Sequence, residues 1–94
     1  MINISIKGSG LKSHETKAFV KHIKVMYKKL EKKNTRSWTL LKISFLLRRL
    51  KEETKELEDA IADRNIDAVI DECADVSNFA MMITDMVSSE GKLK

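Results

Sequence analysis

Glu53 and Glu56 form an E-x-x-E pair, and Glu72 and Asp75 form an E-x-x-D pair further along. Side chains three apart on a helix share a face, so each pair predicts a patch of two carboxylates. The second pair stands in a mostly apolar run, DECADVSNFAMM, where unpaired acids cost stability. Between the pairs, Asp63-Arg64-Asn65 is a short polar break between two helical patterns. A turn that short makes consecutive helices antiparallel neighbours, and residues equidistant from it then face each other. Glu56 and Glu72 share a midpoint at position 64, and so do Glu53 and Asp75. The pairs are thus in mirror register, roughly 12 to 16 Å from the turn at about 1.5 Å per residue.

With Leu50 at the centre of the apolar stripe before the turn, Glu53 lies about 60° and Glu56 about 120° to the same side, at about 100° per residue. Four carboxylates converging at the edge of an apolar seam repel one another, and partial burial worsens the repulsion. Protonation or a cation relieves it. Hard divalent ions take carboxylate oxygens, and Mg²⁺ keeps waters and gains further ligands from substrate phosphates. A magnesium cage completed by a phosphorylated substrate is the chemistry these residues point to. Either pair alone reads more readily as a solvated helix face.

The elements that must position these acids are helical. The chain has no Pro and three Gly, which leaves few helix breakers. Phe19, Ile23, Met26, Tyr27 and Leu30 mark a helix from Ser13 to about Lys33. KKNTRS interrupts it, and Ser37 or Thr39 is expected to cap the next helix. That helix is predicted from about Thr39 to Ala62, with a stripe of Leu40, Ile43, Leu46, Leu47, Leu50, Thr54, Leu57 and Ile61. Asn65 is the expected cap of a third helix, Ile66 to Ser88. Its stripe reads Val69, Cys73, Val76, Ala80, Ile83 and Val87, with Phe79, Met82 and Met86 off it. A helix apolar on several faces is covered on several faces, which calls for a second subunit. Ile2, Ile4 and Ile6 alternate like a short strand. The expectation is therefore an all-α fold: an antiparallel helical hairpin plus an N-terminal helix, packed into a bundle through oligomerisation. Residues 1–12 would form an N-terminal arm with that short strand, 13–88 the helical domain and 89–94 a frayed tail.

Ninety-four residues make one small domain. Cys73 is the single cysteine, so no internal disulfide forms and a reducing, cytoplasmic setting is expected. No apolar run reaches membrane-span length and no signal-peptide core is visible, so no membrane partner is expected. Charge is uneven: residues 11–51 hold thirteen Lys/Arg and two acids, whereas residues 52–94 hold four Lys/Arg and twelve acids. A basic half can bind nucleic acid, nucleotide phosphates or the chain's own acidic half.

The string LLRRLKEETKELEDAI, followed by DECADVSNFAMMITD, resembles the MazG-like members of the all-α nucleoside triphosphate pyrophosphatase superfamily. Their EExxEL and ExADV motifs match Glu52-Glu53-Thr54-Lys55-Glu56-Leu57 and Glu72-Cys73-Ala74-Asp75-Val76. The likeness covers about residues 38–87. It implies helical dimers, or dimers of dimers, that hydrolyse an NTP or dNTP between the α and β phosphates, giving the monophosphate and pyrophosphate, with Mg²⁺ or alternatively Mn²⁺. By motif match it makes Glu53, Glu56, Glu72 and Asp75 metal ligands and Glu52 the general base, and it places Asn78 near the phosphates. Trp38 stands where such proteins carry a Trp; it is read as a base-stacking surface or as a hydrophobic cap. Lys42, Arg48 and Arg49 are candidates for neutralising the triphosphate, with Lys42 the substrate-binding choice.

The remaining candidates carry less. Lys28-Lys29 and Lys32-Lys33 read as solvated charge. His14 and His22 lack a carboxylate or Cys partner nearby in sequence and receive no role. Cys73 reads as a small core residue, and Met81, Met82 and Met86 as core or interface. Within the same superfamily, phosphoribosyl-ATP pyrophosphatase is the alternative enzyme. A non-catalytic basic helical module is another reading, binding nucleic acid or a protein partner, although no nucleic-acid reader motif is present. An inactive MazG-like assembly partner is a third.

Overall fold

A computed structural model describes residues 13–32, 35–91 and 93 of the chain. The arm 1–12 and its expected strand lie outside the described residues. Among those described, the protein is all-α. Helix α1 spans Ser13–Glu31, a 3₁₀ segment spans Thr35–Leu40, α2 spans Ile43–Ala62 and α3 spans Ile66–Glu90. α3 is the central element, with α2 packed along it and α1 packed against it. No helix among the described residues is long and apolar enough to cross a membrane.

The α2–α3 turn sets the register of everything that follows. Asn65 N–H donates to Ala60 O at 3.2 Å and Arg64 N–H to Ile61 O at 3.0 Å, the paired bonds of a Schellman C-cap. That motif needs a left-handed residue, and here it is Arg64, at φ 54°. Asn65 then begins α3: its side-chain oxygen accepts from Ala68 N–H at 3.1 Å, satisfying a donor that the helix start leaves free. One residue thus closes one helix and opens the next, as its type and place predict.

The start of α2 differs from expectation. Thr39 does not begin an α-helix, and the N-cap position of α2 lies beyond Ser37 and Thr39. Residues 35–40 wind as 3₁₀, and Lys42 is the N-cap in an extended conformation without a side-chain cap. Packing explains the change of path: Trp38 and Leu41 turn in against the core, and Trp38 Nε1–H donates to Asp85 Oδ2 on α3 at 3.0 Å. At the other end α3 runs two residues past Ser88. Gly91, left-handed at φ 63°, receives the chain there and its N–H bonds Val87 O at 2.9 Å.

Leu46, Phe79, Met82 and Met86 form the core, with Leu50, Trp38 and Leu30 against it. The expected stripe of α3 is therefore rotated. Phe79, Met82 and Met86 are buried, Ala80 is exposed and Cys73 is half-buried. The reason is that α3 turns its larger apolar side chains, which bury more area, toward α2. Leu40, Leu47 and Ile61 belong to the expected α2 stripe yet stand exposed.

Candidate active site

The mirrored register brings acids together. Oxygens of Glu53, Glu56 and Glu72 all lie within 4.8 Å of one another. Glu53 is 5% exposed, whereas Glu56 faces solvent, as their offsets from the stripe require. Ala74, fully buried beside the pair on α3, has only a methyl group and so lets the helices approach closely there.

The electrostatics follow from that crowding. Burial, a hydrogen bond shared with Glu56 and the charges of Glu56, Asp75 and Glu72 push the Glu53 carboxyl up to about 7. Burial first, then the charges of Glu56 and Asp75, also raise Glu72. Glu53 Oε2 and Glu72 Oε2 are buried without a hydrogen bond. Among the described residues, Glu53 Oε2 has Arg49 Nη2 at 3.9 Å, beyond hydrogen-bond reach.

Asp75 sits apart from the three clustered carboxylates. Its Oδ2 is 3.2 Å from Lys29 Nζ on α1. Burial works against the Lys29 charge, but the hydrogen bond to Asp75 and the surrounding acids outweigh it and raise its pKa. Lys29 is thus an ion-pair partner and not the solvated charge expected of it. Two further contacts hold α1 on α3: His22 Nε2 and Ser77 Oγ at 2.7 Å, and Asn78 Nδ2 donating to Met26 O at 3.1 Å. Sequence spacing carried no signal for any of these pairs, because the partners lie on helices that are not consecutive, with α2 between them.

Asn78 is 3% exposed, and its Oδ1 has no partner. One Nδ2 hydrogen is committed to Met26, and the unpartnered Oδ1 is an acceptor that suits a water or hydroxyl proton. Glu52 is exposed and pairs with Arg49 Nη1. Arg49 also stands over the Phe79 ring at 5.2 Å, so it is anchored between acids and core. Trp38 packs against the core and donates to Asp85. Lys42 is exposed at the N-cap of α2, about 16 Å along the helix axis from Glu53. The structure does not bring Trp38 or Lys42 to the carboxylates within one chain.

The chain matches the family model for phosphoribosyl-ATP pyrophosphohydrolase over residues 19–87. It belongs to that family. The phosphoribosyl-ATP pyrophosphohydrolase match contains both carboxylate pairs, Lys29 and Asn78. The family is an all-α pyrophosphohydrolase family related to the MazG-like superfamily, a group of hydrolases acting on acid anhydrides. No curated protein and no solved structure matches the chain.

Proposed function

We propose that the chain is a Mg²⁺-dependent pyrophosphohydrolase that cuts the α–β anhydride of a nucleoside triphosphate, an NTP or dNTP. Water adds to the α phosphorus, the bond to the bridging oxygen breaks, and the products are the monophosphate and pyrophosphate. The observation that carries the reading is the group of three facing carboxylates, two of whose buried oxygens have no hydrogen-bond donor.

That donor set fits a divalent ion. Hard divalent cations take carboxylate oxygens, and three carboxylates here offer oxygens within 4.8 Å of one another. Glu53, Glu56 and Glu72 would hold it, with Asp75 as the fourth acid. Bound there, Mg²⁺ (or Mn²⁺) supplies charge against the triphosphate and acidifies bound water. Glu52 is the proposed proton acceptor for the attacking water, being one residue from Glu53 and one turn from Glu56. Asn78 Oδ1 orients that water by accepting a hydrogen bond from it. Arg49 holds Glu52 and Glu53 in place. Lys42 and Trp38 lie toward the far end of the hairpin, where they would meet the base side of the substrate.

Phosphoribosyl-ATP is the second substrate reading, favoured by the family match; it asks for cleavage of the same bond. The protein is further proposed to act as a homo-oligomer, a dimer or tetramer. Phe19 and Tyr27 on α1 are about half exposed, and Ile66 and Ile70 on α3 are exposed as well, a density of bare apolar side chains that a subunit contact would cover.

A panel of NTPs, dNTPs and phosphoribosyl-ATP, incubated with the protein and Mg²⁺ and assayed for pyrophosphate, tests the reading. Release from an NTP or dNTP supports the first reading, and release from phosphoribosyl-ATP alone supports the second. No release from any of them removes both.

A further inference from the structure

The ion pair between Lys29 and Asp75 has a geometry that bears on how the site is loaded. The turn places Asp75 opposite Glu53, yet Asp75 leans instead to an ammonium brought in by a third helix. Lys29 feels the charges of Asp75, Asp71 and Glu72 together. An ammonium there neutralises part of the acid cluster, and it repels any second cation entering a few ångströms away. The same ammonium borders a cleft of ≈ 410 Å³ between α1 and α3, walled by Lys28, Lys29, Glu31 and Lys32 with Asp71 across from them. Lysine carries its charge on a flexible four-carbon stem, so Nζ can leave Asp75 for that cleft while α1 stays docked through His22–Ser77 and Met26–Asn78.

We propose that Lys29 is an exchangeable counter-ion: it holds Asp75 in the metal-free protein, and passes to the terminal phosphates of the substrate when a divalent cation enters the carboxylate cluster. This rests on the cation-dependent reading above. The exchange puts two positive charges among the carboxylates in place of one and makes metal and phosphate bind together. The anion it selects is a pyrophosphate-like group, since three lysines border the cleft against two carboxylates, Glu31 and Asp71.

The test is Mn²⁺ titration of the nucleotide-free protein, followed by the electron paramagnetic signal of the free ion, on wild type, Lys29→Met and Lys29→Arg. Thermal melting checks that each folds, with Lys29→Gln replacing the Met variant if that one does not. Loss of the competing ammonium is expected to tighten Mn²⁺ binding about five- to tenfold in Lys29→Met, while Lys29→Arg stays near wild type. With Mn²⁺ saturating, Lys29→Met is expected to bind inorganic pyrophosphate about tenfold more weakly. A lysine that only pins α1 to α3 would lower the melting temperature and leave Mn²⁺ affinity equal or weaker. That outcome overturns the exchange while leaving the pyrophosphohydrolase reading standing. Absence of Mn²⁺ uptake by wild type overturns both.

Discussion

Carboxylate oxygens of Glu53 on α2 and Glu72 on α3 approach within 4.8 Å, and each residue keeps a buried oxygen with no hydrogen bond. Burial, Glu56 and then the acids of α3 raise the Glu53 carboxyl, and burial followed by the charges of Glu56 and Asp75 raises Glu72.

The pH dependence of stability follows with a definite sign. The Glu53 carboxyl is held near 7, above its ordinary value of 4.5. The folded state therefore binds this proton more tightly than the unfolded chain does. The stabilisation it brings is complete below about pH 4.5 and is lost as pH rises through about 7. The melting temperature of the metal-free protein is expected to fall over that window from this group's contribution. Mg²⁺ should restore it at pH 8 and do little at pH 5, where protons already occupy the site. Equal melting curves with Mg²⁺ and with a chelator at pH 8 would contradict the account.

Glu53→Gln separates stability from activity. Removing the like charge is expected to stabilise the metal-free protein at pH 8 by on the order of 2 kcal/mol, several degrees in melting temperature for a domain of this size. The same change should abolish the Mg²⁺-dependent rise and reduce pyrophosphate release by a hundredfold or more. Denaturation in the presence of a chelator, alongside the pyrophosphate assay, measures both.

Arg49→Met keeps a stem over Phe79 but removes the charge beside Glu52 and Glu53. Glu53 then titrates higher still, so protons compete better with the metal. The Mg²⁺ concentration giving half-maximal activity at pH 7 is expected to rise several-fold, and the difference should shrink at pH 9. An unchanged Mg²⁺ requirement would show that Arg49 does not act through Glu53.

Arg64 holds a left-handed conformation that favours glycine. Arg64→Gly is expected to stabilise the protein by about 0.5 to 1 kcal/mol, and Asn65→Ala to destabilise it by about 1 kcal/mol through loss of the α3 cap. Chemical denaturation of both variants reads the pair. A destabilising glycine would mean that Arg64 is held there by more than turn geometry.

Phe19→Glu probes the proposed assembly. A charge on the half-exposed Phe19 ring should shift the sedimentation of the protein toward the monomer with its helix content preserved. Unaltered sedimentation would place the subunit contact elsewhere.

Much of the hairpin was legible from residue order. Two helical periodicities, a three-residue break and a helix-capping Asn are local signals, and together they define the midpoint at 64 that puts Glu53, Glu56 and Glu72 on facing surfaces. Local chemistry sufficed there because the helices are joined by so short a turn that little freedom is left between them. The 3₁₀ path of Thr35–Leu40 was not legible, since Trp38 leaves helical geometry to reach Asp85 on a distant part of α3. Which lysine of α1 meets Asp75, how Asn78 spends its amide and where His22 finds Ser77 all depend on how α1 slides and rotates on α3. A longer connection leaves those two motions free in the sequence, and side-chain packing between non-neighbouring helices settles them.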